Sequence, residues 1–235
     1  MRTKIRTGLL SHYRTNTWME PVRCFRCILL RMKLSGESAP GEVQPTDLPQ
    51  SSVDLIMRAR QGDGVAWEVL VQQYQQPAFR LAYLFLEDSD EAEDVAQETF
   101  LRAFQALDRF DLSRPMLPWI LSIAANLARN RRRSIWRFFG VVQRLVREEP
   151  RLVSGEVDGA EQRWQTQSLW DAVQHLKHND QEVIYLRFFL ELSVEETAQT
   201  MAVAPGTVKS RLNRALTRLR EVIDRDHPDL KDSWT

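Results

Sequence analysis

Residues that favour burial recur at three- and four-residue spacings through two long stretches of the chain, a period that predicts α-helices. Over residues 51–136, Leu55 and Ala59 are followed by Ala66, Val69, Leu70, Gln73 and Tyr74, then by Phe79, Tyr83 and Leu84. Over residues 164–225 the period resumes at Leu169, Val173 and Leu176, at Val183, Leu186 and Leu190, and at Val194, Ala198 and Met201. A last run, Val208, Leu212, Ala215, Leu219 and Val222, makes four predicted helices in this stretch. No alternating strand pattern and no internal repeat occurs. The predicted fold is all-α, with two helical domains joined by a flexible linker.

The breakers mark the joints. Arg114, Pro115, Met116, Leu117 and Pro118 predict a loop ahead of a helix opening near Trp119, because proline is excluded from helix interiors but suits the first turn. Residues 137–163, with Pro150, Gly155 and Gly159, read as the linker, with room for a short helix near 141–146. Residues 1–50 carry eight Lys/Arg against four acids, then Pro40, Gly41, Pro45 and Pro49. They read as a basic, disordered extension, within which Met32 offers a second start; residues 226–235 form a C-terminal tail. The apolar run from Cys27 to Leu30 is too short for a secretory signal, so export is not expected.

Charge sharpens this picture through its distribution. The 235 residues hold 32 basic and 32 acidic side chains, so any charged function must come from segregation along the chain. The only cysteines, Cys24 and Cys27, cannot build a disulfide framework, and a cytoplasmic location is expected. One such pair supplies half of a structural zinc's ligands, so both are read as free thiols and no metal or other cofactor is expected. No apolar run reaches the ~18 residues of a membrane helix.

The strongest local signal lies near the C-terminus. Ser193-Val-Glu-Glu196 is a capping box that starts a helix, which ends near Met201. After a short turn Pro205 takes a first-turn position in a second helix, and the two form a helix-turn-helix. Val208, Leu212, Ala215 and Leu219 make its inward stripe, leaving Lys209, Ser210, Arg211, Asn213, Arg214, Arg218 and Arg220 outward. Residues 206–220 hold five bases and no acid, a surface suited to the DNA major groove.

Two further faces differ in sign. Behind the apolar stripe of Ile120, Ile123, Ala124 and Leu127, the side chains of Ser122, Asn126, Arg129, Asn130 and Arg133 share another face. Arg131, Arg132 and Arg137 add charge for phosphates, and Trp119 and Trp136 offer platforms on which unpaired bases stack. By contrast Glu87, Asp88, Asp90, Glu91, Glu93, Asp94 and Glu98 put seven acids and no base into twelve residues. DNA is repelled there, whereas a basic protein surface fits, with Gln97 and Phe100 completing a mixed face. A hard-cation site is the rival reading of those carboxylates. His175 and His178 lie far from them and read as helix surface.

Asp90-Glu-Ala-Glu-Asp-Val-Ala-Gln-Glu-Thr-Phe-Leu-Arg-Ala-Phe104, Trp119-Ile-Leu-Ser-Ile-Ala-Ala-Asn126 and Gly206-Thr-Val-Lys-Ser-Arg-Leu212 together resemble bacterial sigma factors of the sigma-70 family. The two-domain layout resembles the extracytoplasmic-function (ECF) subfamily. The resemblance implies a promoter-specificity subunit without catalytic residues. Residues 51–136 would be sigma domain two, whose Asp94, Gln97, Glu98 and Phe100 bind the clamp helices of core RNA polymerase. Its Trp119, Ser122, Asn126, Arg129, Asn130 and Arg133 would capture and melt the −10 promoter element. Residues 164–225 would be sigma domain four, docked on the polymerase flap, with Thr207, Lys209, Ser210, Arg211, Arg214 and Arg218 in the −35 major groove. The linker would thread toward the RNA exit path, and an anti-sigma factor would cover both domains. Ala204 stands at the recognition-helix cap where serine is common in the family.

Two other functions compete. An autonomous helix-turn-helix regulator would bind an operator without polymerase, usually as a dimer, but has no need of a second nucleic-acid face. A carboxylate-metal hydrolase built on Glu91, Asp94 and Glu98 lacks any supporting catalytic motif.

Overall fold

The computed structural model describes residues 50–142, 160–228 and 230. The Cys24 and Cys27 pair, residues 1–49 of the N-terminal extension and residues 143–159 of the linker lie outside them. Every regular element among the described residues is helical.

The first group of helices comprises α1 (Gln50–Arg60), α2 (Gly64–Leu86), α3 (Ser89–Ala106) and α4 (Met116–Val142). Gly62, at φ +88°, turns the chain between α1 and α2 in a conformation that favours glycine. Asp63 caps α2, accepting from the Val65 and Ala66 amides at 3.0 and 3.1 Å. The Ala66 amide and the Arg58 guanidinium hold its carboxyl below the usual range. Asp88 caps α3 in the same way through the Asp90 and Glu91 amides, both at 2.9 Å. The apolar stripes meet around Leu70, Leu81, Ala103, Ile120, Leu121 and Ala124, all at 0% exposure.

Helix α2 continues through Pro77, which leaves the carbonyl one turn earlier without its helical donor. Helix α4 opens at Met116, three residues before the predicted start at Trp119. Pro118 therefore falls inside its first turn, where no amide donor is required. The same helix runs on to Val142, past the expected linker boundary at 136. The preceding loop is pinned from outside: Arg60 donates to the Leu107 carbonyl at 3.0 Å and to the Phe110 carbonyl.

The second group comprises α5 (Ala160–Gln174), α6 (His178–Ile184), a π-helical turn over Tyr185–Phe189, α7 (Val194–Met201) and α8 (Pro205–Asp226). The predicted helix through Val183, Leu186 and Leu190 is thus α6 widened into the π turn. Tyr185 is fully buried and accepts at 3.1 Å from Gln174 Nε2; burial pushes its hydroxyl well above the ordinary range. The two groups are packed against each other, α4 on α7 and α2 on the π turn.

Candidate nucleic-acid interface

The helix-turn-helix has the local chemistry its sequence predicts. Ser193 Oγ accepts from the Glu196 amide at 3.1 Å, and the Glu196 carboxylate accepts from the Ser193 amide at 2.8 Å. Ala202, at φ +54°, ends α7, and Pro205 opens α8. Val208, Leu212, Ala215 and Leu219 are buried at 0, 5, 0 and 0% exposure, which fixes the rotation of α8 about its axis. Lys209, Ser210 and Arg214 are exposed, while Thr207, Arg211 and Arg218 are half-buried. Thr207, Ser210, Arg211, Arg214 and Arg218 follow one another at helical spacing along one side. Their far end is engaged within the fold, since Arg218 forms an ion pair with the buried Asp180.

Ala204 caps α8 without a side-chain hydrogen bond. Ala204→Ser supplies an acceptor for the Thr207 amide and is expected to stabilise this group of helices by about 1 kcal/mol. A thermal melt of the full chain checks this: the midpoint rises, and an unchanged midpoint contradicts the capping account.

On α4 the geometry is more particular than the sequence indicated. Asn126, Asn130 and Arg133 are exposed. Ser122 donates to the Trp119 carbonyl at 2.7 Å, and Trp119 is half-buried against Phe110 with ring centroids 4.7 Å apart. Trp119 is therefore a wall of the core with one side open. Asp111 accepts from the Ser113 amide and hydroxyl at 3.0 and 2.7 Å, bonds that lower its carboxyl pKa and order the loop ahead of α4. Arg129 reaches away from solvent to Glu182, donating from Nη1 to both carboxylate oxygens at 2.5 and 2.7 Å. Its other nitrogen bonds Asn126. The Trp136 side chain lies outside the described residues.

The acidic face is partly neutralised. Arg131, grouped by sequence with the phosphate-binding bases, pairs instead with Glu91, and with Asp94 at 3.7 Å. Glu98 pairs with Arg102 at 2.6 Å, and Gln97 donates to Glu93 at 3.4 Å. Among the described residues no three His, Cys, Asp or Glu side chains are gathered to hold a metal ion. His175 and His178 are exposed, their rings against the Asp171 carbonyl and the Gln181 side chain.

Phe100 corrects the sequence reading of this face: at 8% exposure it packs under the Trp67 ring and belongs to the core. The apolar side chains open beside Asp94, Gln97 and Glu98 are Leu101 and Phe104 on α3, at 58 and 49% exposure. Sequence reasoning missed them, although the period held the signal. The buried stripe of α3 runs through Ala92, Val95, Ala96, Thr99, Phe100 and Ala103, and Leu101 and Phe104 fall beside it.

Residues 70–138 match the family model for sigma-70 region 2, and residues 166–219 match that for sigma-70 region 4. The RNA polymerase sigma-H factor of Pseudomonas aeruginosa is 30% identical, over 73% of this chain and 91% of that protein. The ECF RNA polymerase sigma factor SigW of Bacillus subtilis is 29% identical, over 71% of this chain and 93% of that protein. In fold, the chain is similar to the sigma factor RpoE of Bartonella quintana, solved in complex with the anti-sigma factor NepR. That match has a TM-score of 0.53 and 24% identity, over 68% of this chain and 98% of that one. The chain belongs to the sigma-70 family of RNA polymerase sigma factors, and within it to the ECF group. No helix among the described residues is long and apolar enough to cross a membrane.

Proposed function

We propose that the chain is a dissociable promoter-specificity subunit, acting in the cytoplasm, that binds core RNA polymerase, reads −35 and −10 elements and promotes melting. The single observation that carries this reading is the segregation of charge on buried scaffolds. Helix α8 is locked by its apolar stripe with five bases and no acid over residues 206–220, whereas the acids gather on α3. Lys209, Ser210, Arg211 and Arg214 meet the −35 major groove, with Thr207 at its entrance and Arg218 at the far margin. Ser122, Asn126, Arg129, Asn130 and Arg133, with the open side of Trp119, meet the −10 strand.

The clamp helices of polymerase are assigned to Asp94, Gln97 and Glu98 together with the open Leu101 and Phe104. Phe100 supports that face from beneath. Domain four, over 164–225, takes the polymerase flap. The complex of the Bartonella quintana sigma factor with an anti-sigma factor supports the same class of regulator for this chain.

Asn126→Ala tests the melting role. Open-complex formation on duplex promoters is expected to fall by about tenfold, the scale of one lost base contact, and much less on templates already unpaired at −10. Permanganate footprinting reads both. Equal loss on the two templates contradicts the assignment to melting.

A further inference from the structure

We propose that Asp180 is a positioning residue for DNA binding: from α6 it holds the Arg218 guanidinium of α8 ready to grip a backbone phosphate beside the −35 element. The proposal rests on the reading of α8 as the −35 helix.

The pair lies within the second group of helices. Asp180 is 3% exposed, and Arg218 Nη1 donates to its Oδ2 across 38 residues of sequence. The mount of the acid is fixed from both sides. The Asp180 amide donates to the Lys177 carbonyl at 2.8 Å, and the neighbouring Gln181 donates from Nε2 to the Gln174 carbonyl at 2.9 Å, tying the start of α6 to the end of α5. Leu219, the residue after Arg218, is at 0% exposure and fixes the other side of the pair.

Of Lys209, Arg211, Arg214 and Arg218, the bases along the DNA side of α8, Arg218 alone pairs with an acid among the described residues. Paired, it adds no net charge to that side, so attraction at a distance is not what it contributes. Its contribution is geometric. A guanidinium presents its donors in a planar fork, and here one nitrogen serves Asp180 while 41% of the side chain stays exposed. Donors remain for the oxygens of a second anion, and a phosphate matches the fork. An arginine already held loses less freedom on binding than one that must be ordered from solvent. Phosphate contacts set the register of a protein on DNA without reading sequence. Arg218 thus seats α8, through Asp180, at a fixed depth while Lys209, Ser210, Arg211 and Arg214 read bases.

The test uses the holoenzyme formed by the full chain and core RNA polymerase. Its DNA is a promoter duplex recovered by run-off transcription, beside the same duplex with the −35 element scrambled. Affinity for each is measured by fluorescence anisotropy over a salt series. Asp180→Asn removes the acid's charge at nearly constant shape. Asp180→Asn combined with Arg218→Gln removes the ion pair and leaves the net charge unchanged.

By charge alone, Asp180→Asn makes the protein more positive and tightens DNA binding. The positioning role predicts the opposite, a loss of about fivefold in affinity that is the same for both duplexes. The double variant falls at least as far, and its plot of log affinity against log salt is shallower by about one, the change for one lost phosphate contact. A merely structural brace lowers the thermal midpoint without moving that slope. Raised or unchanged affinity in folded Asp180→Asn overturns the positioning role. Loss confined to the intact −35 duplex overturns the phosphate grip, as does an unchanged slope in the double variant. If circular dichroism shows Asp180→Asn unfolded, the double variant, which leaves neither charge of the pair without its partner, decides alone. Arg214→Ala tests the underlying reading separately. Reduced preference for the intact −35 duplex supports α8 as the −35 helix, whereas unchanged preference refutes that reading even where Asp180→Asn weakens binding uniformly.

Discussion

Replacing Leu101 and Phe104 together by aspartate is expected to abolish capture of core RNA polymerase in a pull-down, lowering affinity by about a hundredfold or more. Both side chains stand open beside Asp94, Gln97 and Glu98, so charge placed there faces solvent in the free protein and the helices stay folded. In the complex the same charge is desolvated against the partner, which is where the loss arises. Phe104 also meets the Trp67 ring at 5.2 Å, and a small drop in thermal midpoint accompanies the loss of that contact. Undiminished capture by a folded double variant would move the polymerase contact away from this face.

The double substitution Arg211→Ala and Arg214→Ala is expected to reduce −35-dependent transcription by about a hundredfold, from ~1 to 3 kcal/mol per lost contact. Arg214 is exposed and its Nε bonds only the Ser210 carbonyl of its own helix, at 3.3 Å. Arg211 lies half-buried on the same side. Neither belongs to the buried stripe, so polymerase capture should be unchanged. Run-off assays beside a pull-down check both halves, and loss of capture would contradict the placement of these arginines on DNA.

Much of this was legible in the sequence because the physics is local. Ser193 and Glu196 lie three residues apart and satisfy each other's backbone donors, so the start of α7 can be read from two letters. Pro205 and the stripe from Val208 to Leu219 fix α8 in the same way, through backbone geometry and burial at helical spacing.

What escaped depends on competition or distance. Pro115 and Pro118 look like a double breaker, yet the chain needs only the first outside α4, since the second falls where no amide donor is used. Phe100, Leu101 and Phe104 are all apolar, and burial separates them only once α2 and α4 define which side of α3 faces inward. Arg129 and Arg131 carry the same charge two residues apart and turn to different acids, Glu182 and Glu91, because successive helical positions point about 100° apart. No spacing rule pairs Arg129 with Glu182, which stands 53 residues away on another helix.

Run-off transcription from a genomic fragment pool, with purified core RNA polymerase and this protein added or omitted, tests the central claim most directly. Discrete transcripts that appear only when the protein is added, sharing −35 and −10 elements upstream, are the predicted result. No new transcripts, together with a sharp operator footprint by the protein alone, would contradict it and identify an autonomous regulator instead.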